Sequence, residues 1–287
     1  MTSRPATVTA REVTGAPAAR RRPPGTLGIG IARTGIELRQ FFRERDSMVF
    51  TFFFPVIMLF IFGSAFSSSD LPGGVTFTQY FASGMIATGI MLSSFQQLAI
   101  SIAVERDDGS LKRLRGTPMP PASYFLGKVG MVLVSAVIQT AILLVIGSLV
   151  FGLHLPTSPD RWLRFAWIFV LGATTGTLCG IAFSTVPRSA RSAGAVVSPV
   201  VLVLQFVSGV YFVYSNLPTW MQTLGAVFPL KWLTEGMRSV FLPDSFRAQE
   251  VARSWELPQT AVVLAVWAVA GLLVALRTFR WQRRDAG

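Results

Sequence analysis

The sequence predicts an all-α integral membrane protein with six transmembrane helices, both termini on the cytoplasmic side, an N-terminal amphipathic interfacial helix and re-entrant helices between spans five and six. Three observations carry this. Hydrophobic residues make up 51% of the chain and charged residues 14%, a balance typical of membrane chains. Six long apolar runs contain no Asp, Glu, Lys or Arg. The basic residues, finally, gather on one side of the topology those runs impose.

Residues 1–26 carry Pro, Thr, Ala and Arg without periodicity and read as a disordered cytoplasmic tail. Arg20-Arg21-Arg22 leads into Pro23-Pro24-Gly25 rather than an apolar stretch, so neither a cleavable secretory signal nor a twin-arginine signal is expected. Residues 27–46 read as an amphipathic connecting helix lying in the membrane interface. Ile31, Leu38, Phe41 and Phe42 form its apolar stripe, and Arg33, Glu37, Arg43 and Glu44 lie away from it.

The transmembrane domain is expected over residues 47–276. A helix rises about 1.5 Å per residue, so about 20 apolar residues cross the hydrocarbon, and a central charge costs at least ~2.5 kcal/mol. The charge-free runs are Ser47–Phe66, Gln79–Val104, Val129–Phe151, Phe165–Val186, Ala193–Tyr214 and Leu257–Leu276. Pro55 and Pro199 inside them are read as kinks that a membrane helix tolerates. Gly172, Gly176 and Gly180 recur every four residues in the fourth run, which predicts a helix-packing face. Gln96, Gln97, Gln139 and Gln205 each need a polar partner that hydrocarbon does not offer. The first run is crowded with Phe50, Phe52, Phe53, Phe54, Phe60 and Phe62, which face either lipid or an aromatic cargo.

Residues 277–287 form a basic cytoplasmic tail. With this odd-even assignment, 20 of the 26 Lys and Arg fall on one side, together with eight of the 14 acids, which leaves the other side neutral. The positive-inside rule makes the basic side cytoplasmic. Topology thus accounts for the net charge of +12, and no nucleic acid partner is called for. One Cys (Cys179) and one His (His154) supply no metal cluster, so neither metal nor cofactor is expected.

Two segments outside the spans are distinctive. Glu105-Arg106-Asp107-Asp108-Gly109-Ser110-Leu111-Lys112-Arg113-Leu114-Arg115 reads as a short capped helix closed by Gly116-Thr117-Pro118. Its acids suit the positive N-terminal end, Ser110 is placed to cap, and its bases suit the C-terminal end. Leu111 and Leu114 are expected to project into a groove on another protein, with a solvated turn as the alternative. The second segment runs from Ser208-Gly209 through Tyr211, Phe212, Pro218 and Trp220 to Pro229 and Glu235. Aromatic, and charge-free until Lys231, it suits short re-entrant helices with Trp220 and Trp232 at headgroup depth, and an outer gate. Glu235 and Arg238 are expected to pair.

These two segments resemble ATP-binding-cassette type-2 permeases. The Glu105-to-Leu111 run with Thr117-Pro118 and Gly127-Lys128 is similar to the coupling segment of that family. The Ser208-Gly209, Pro218-x-Trp220 and Pro229-Leu230 run is similar to the stretch after its fifth span. Order agrees from about Leu27 to Arg284. Asp107, Ser110 and Lys112 depart from the family's commoner Glu, Thr and acid. The resemblance implies two permease chains, homodimeric or heterodimeric, each docked through Glu105, Asp107, Gly109, Ser110 and Leu111 on a separate cytoplasmic ATPase, two copies in all. It further implies a drug exporter of the daunorubicin-resistance type, with lipid, glycolipid and polysaccharide cargo as alternatives. No phosphate-binding loop occurs here, since Ala122 stands at the Gly position before Gly127-Lys128 and Val129 follows it. The chain is therefore expected to be no enzyme. Charge-free spans disfavour an ion-coupled carrier. Arg outnumbers Lys 23 to 3, a compositional hint of a GC-rich bacterial genome, and the expected location is the bacterial plasma (inner) membrane.

Overall fold

The computed structural model describes residues 25–66 and 70–279. Most of the expected N-terminal tail and the end of the basic C-terminal tail lie outside them. Helix α1 spans Thr26–Arg43 and leads into α2, Arg45–Ala65. A two-stranded antiparallel hairpin follows, β1 Asp70–Leu71 and β2 Val75–Thr76. Gly73 and Gly74 turn it at positive φ, where side chains with a Cβ are strained. Thr76 caps α3 (Phe77–Met91): its hydroxyl accepts the Gln79 N–H, and Gln79 reaches back to the Thr76 N–H.

After α3 a single π turn, Leu92–Gln96, leads into α4, Gln97–Asp107. Together they form a rod of 31 residues, about 46 Å at the α-helical rise. Then come α5 (Ser110–Arg115), α6 (Pro121–Phe151), α7 (Pro159–Phe183) and α8 (Ala190–Val207). Two short helices, α9 (Thr219–Val227) and α10 (Pro229–Phe241), precede α11, Leu257–Thr278.

Six of these helices are long and apolar enough to cross a membrane: α2, the α3–α4 rod, α6, α7, α8 and α11. The rod is the axis of the bundle, with 89% of its span buried against half or less for the others. Pro55 and Pro199 sit within α2 and α8. Gly176 and Gly180 explain why the π turn is accommodated. A Cβ on Gly176 would strike the Ser94 side chain, and one on Gly180 would lie 2.8 Å from the Phe95 carbonyl oxygen, so α7 closes directly onto the bulged backbone. Gly172 lies instead against Leu233 of α10.

The helix bounds differ from the charge-free runs by more than three residues at three places. Helix α6 begins at Pro121, two turns before Val129, because Lys128 lies inside the helix with its charge compensated. Helix α7 begins at Pro159, six residues before Phe165, because Arg161 and Arg164 in its first turns donate to carbonyls at the end of α10. Helix α8 ends at Val207 rather than Tyr214. Gly209 takes φ +71 there, and a Cβ on it would come within 2.7 Å of Tyr214.

Helix α1 keeps Ile31 and Phe42 outward with Leu27 and Ile36, the facing a lipid-directed apolar stripe has, and departs from the expected pattern in burying Phe41 and Glu37 together. The cause is close packing on α6. A Cβ on Gly130 would strike Thr34, one on Gly127 would strike Arg33, and Gly30 lies against Leu126. In the first span Phe50, Phe53 and Phe60 are exposed, Phe52 packs on Phe41, and Phe62 stacks on Phe81.

Candidate functional site

The α4–α5 junction, at the basic end of the bundle, is built around buried charge. Lys128, wholly buried on α6, donates to Glu37 on α1 (2.7 Å), Ser101 on α4 (2.7 Å) and Glu105 on α4 (2.6 Å). An ammonium has three N–H donors, and all three are satisfied. Arg33 pairs with Glu37 at 2.6 Å, and Tyr124 donates to the second Glu105 oxygen at 2.8 Å. Two carboxylates and two cations thus sit together in the interior, tying three elements that lie far apart in sequence. The sequence singled out Glu105 as a surface contact, Lys128 only as the residue before the third span, and Arg33 and Glu37 only as the polar side of an interfacial helix, so their meeting in one hub was not expected. The overlooked signal was an Arg33–Glu37 pair at i,i+4 on a helix otherwise suited to an apolar interface.

The next two residues tie the junction to α8. Asp107 accepts the Ala190 N–H at 2.8 Å, placing a carboxylate at the α8 N-terminus, and Arg106 donates to the Pro187 carbonyl at 2.9 Å. Ser189 and Ser192 cap the same helix reciprocally. Helix α5 then starts at Gly109, whose φ of +77 reverses the chain. Asp108, not Ser110, supplies the cap, its carboxylate accepting the Ser110 N–H at 2.8 Å. Leu111 is fully buried among Leu98, Ile102, Tyr124 and Met131, and Leu114 packs at the edge of the same cluster. The expected projecting leucines are thereby corrected: on a six-residue helix, the apolar side turned to the nearest apolar surface, which was the chain's own. Glu105 likewise faces inward. Outward stand Asp108, Lys112, Arg113 and Arg115, so the free face of α5 is basic.

At the opposite end, the segment after α8 is held by Tyr80. Its hydroxyl donates to the Gly209 carbonyl at 3.1 Å and accepts the Tyr214 N–H at 3.0 Å. Tyr211 is buried and bonds Gln205, which gives that span glutamine its partner. Gln139, by contrast, is buried with no hydrogen-bond partner among the described residues. Phe212 is exposed and Pro218 precedes the first turn of α9. Trp220 is 65% exposed, whereas Trp232 is buried with its indole N–H on the Ala226 carbonyl at 2.8 Å, so only Trp220 is free to meet an interface.

Every residue of α10, from Pro229 onward, is buried although the helix carries Lys231, Glu235 and Arg238. Glu235 pairs with Lys231 at 2.6 Å, and Arg238 holds Glu250 through Nε (2.6 Å) and Nη2 (3.2 Å). The expected Glu235–Arg238 pair is replaced because an i,i+4 lysine and a loop glutamate offer better-aligned acceptors and donors. Arg161 donates to the Leu242 carbonyl and Arg164 to that of Ser239, at 3.0 Å each, so α7 satisfies carbonyls at the end of α10. Asp244 accepts the Trp255 indole N–H at 3.1 Å and lies 3.4 Å from Arg161. That indole bond first, and Arg161 second, hold its carboxyl below the usual Asp range. Among the described residues no group of His, Cys, Asp and Glu could hold a metal.

A helical bundle with six spans, a buried ionic hub and a short loop helix at one end is the architecture of a polytopic membrane protein. Residues 32–242 match the ABC-2 type transporter family, and the chain belongs to it. It is 27% identical over 165 residues to the probable multidrug ABC transporter permease YbhR of Escherichia coli K12, covering 56% of this chain and 42% of YbhR. It is 21% identical over 197 residues to the putative transport permease YvfS of Bacillus subtilis, covering 67% of this chain and 77% of YvfS. The chain thus spans less than half the length of YbhR.

Proposed function

We propose that this chain is the membrane-spanning permease subunit of an ATP-driven exporter of hydrophobic or amphipathic small molecules, with the basic end in the cytoplasm of a bacterial plasma membrane. ATP is hydrolysed on separate ATPase subunits, one docked on each of two permease chains. The observation that carries the reading is the α4–α5 junction. A short helix presents Lys112, Arg113 and Arg115 outward while Leu111 and the Lys128 hub fix it to α1, α4 and α6, and Asp107 to α8. A push on such a helix moves four elements together. Family membership supports the same role, and the multidrug description of YbhR supports the cargo class.

In this scheme ATP binding draws α5 with the ATPases, and the bundle opens toward the outer side past the Ser208–Tyr214 segment, which serves as an outer gate with α9 and α10 dipping into the outer leaflet. The motor surface that receives α5 must be acidic, because the leucines are already used internally. Co-expression with a candidate ABC-type ATPase subunit and affinity capture test this. The Arg113→Glu, Lys112→Glu double variant should reach the membrane at the normal level and lose the captured ATPase. Capture at the unaltered level would sink the docking scheme.

A further inference from the structure

A cleft of about 110 Å³ opens between α1 and α4 at the basic end. Its walls offer three carboxylates, Glu37, Glu44 and Glu105, and the amide of Gln97, with Phe41 and Ile100 as apolar lining. Neither Lys128 nor Arg33 lines it, and Lys128 has no donor left to give. Those two cations balance Glu37 and Glu105, while Glu44 has no ion-pair partner among the described residues. The cleft therefore keeps an excess of one negative charge. It does so on a bundle end whose other exposed charges, such as Arg39, Arg43, Lys112, Arg113 and Arg115, are mostly basic.

Gln97 adds an independent sign. Only 8% exposed, it lines the cleft, and its side-chain amide has no hydrogen-bond partner among the described residues. The amide opens on the cleft rather than on the closed interior, so a polar group bound there meets it directly. Size narrows the ligand. Sites for whole drug-sized molecules run to about 300–1,000 Å³, so this cleft has room for a headgroup and not for a body.

We propose that the α1–α4 cleft binds the ammonium headgroup of an amphipathic amine, between Glu44 and the Gln97 carbonyl oxygen, while the hydrocarbon part remains in the bilayer. The proposal rests on the permease reading and gives its cargo a class: cationic amphiphiles taken up at the cytoplasmic leaflet. The same headgroup chemistry is offered by a free amine and by an aminophospholipid.

The test uses the full chain, captured with its co-expressed ATPase and placed in phosphatidylcholine nanodiscs. It is photolabelled with a diazirine-bearing dodecylamine or with the matching dodecanol, and the labels are mapped by mass spectrometry. Saturable amine labelling of peptides around 37–44 and 97–105, absent with the alcohol, is expected. Glu44→Gln and Gln97→Leu should each weaken it about fivefold, the scale of one partly exposed charge contact. Suppression by added phosphatidylethanolamine would identify the lipid as the resident ligand, and its absence a free amine. Equal labelling by the alcohol, or labelling indifferent to both variants, would overturn the site. Captured ATPase is scored in the same samples. Loss of the label with ATPase retained sinks the cleft alone, and labelling without captured ATPase keeps the cleft and counts against the permease reading.

Discussion

The two buried charge clusters use the same residue types in different ways. At the basic end Lys128 joins α1, α4 and α6, whose contributing residues are separated by 23 to 91 positions. At the far end Lys231–Glu235, Lys231–Glu256 and Arg238–Glu250 span no more than 25 positions. The first cluster welds independent helices into one body. The second ties α10, itself packed in the bundle core and against α7, to its own following loop, so that its ion pairs fix residues 244–256 rather than join distant helices. A buried ion pair is weak evidence for net stability, since its attraction repays desolvation only in good geometry. Its sequence separation still tells which parts must move together.

The largest expected effect comes from Lys128→Met, which leaves Glu37 and Glu105 buried without their shared cation. Removing one partner of a buried pair costs about 3–5 kcal/mol, and here two carboxylates lose it. A large fall in the detergent melting temperature is expected, with hydrogen exchange rising across α1 and α4–α5. Arg238→Met should come next, near the low end of that range, because Glu250 lies on a loop that can swing toward water. Its faster exchange should stay within 242–256. If Arg238→Met instead loosened α1, or Lys128→Met loosened only α6, the contrast between weld and local tie would fail.

Gly109→Ala should act through the backbone. At φ +77 an alanine costs about 1–2 kcal/mol, confined to the α4–α5 turn. The expected result is near-normal melting with reduced capture of the ATPase. Normal capture would mean that the turn's geometry is not read by the partner.

How much of this was legible in the sequence follows from what each signal measures. Absence of charge located all six spans, because the cost of charge in hydrocarbon is large and local. The same rule misplaced the start of α6: it reads Lys128 as an end, while Glu37, 91 residues away, makes it an interior residue. Gly172, Gly176 and Gly180 were legible as a close-packing face, but the π turn that receives two of them was not, since only the fit of α7 onto Ser94 and Phe95 makes room for it. Helix α5 was legible and its facing was not: two leucines three apart share a side of any helix, and nothing local says whether that side meets a partner or the chain itself. The pairing of Glu235 and Arg238 failed for a similar reason, because Glu250 reaches Arg238 through a loop whose path the sequence does not specify.

The smallest effect tests the edge of that loop. Asp244 is mostly exposed, so its link to Arg161 and Trp255 is screened by water and worth no more than about 1 kcal/mol. Its carboxyl is held below the ordinary Asp value of 3.8, so the folded state binds its proton less readily than the unfolded chain does. The stabilisation is therefore complete above the unfolded value and is lost as pH falls through the lower folded value. Asp244→Asn should lower the melting temperature slightly at pH 7, and the gap from the unaltered chain should narrow as the medium is acidified below the ordinary Asp value of 3.8. A gap that persisted undiminished in acid would show that Asp244 acts through shape rather than charge, and the loop would then be held by Arg238–Glu250 and the α10 carbonyl contacts alone.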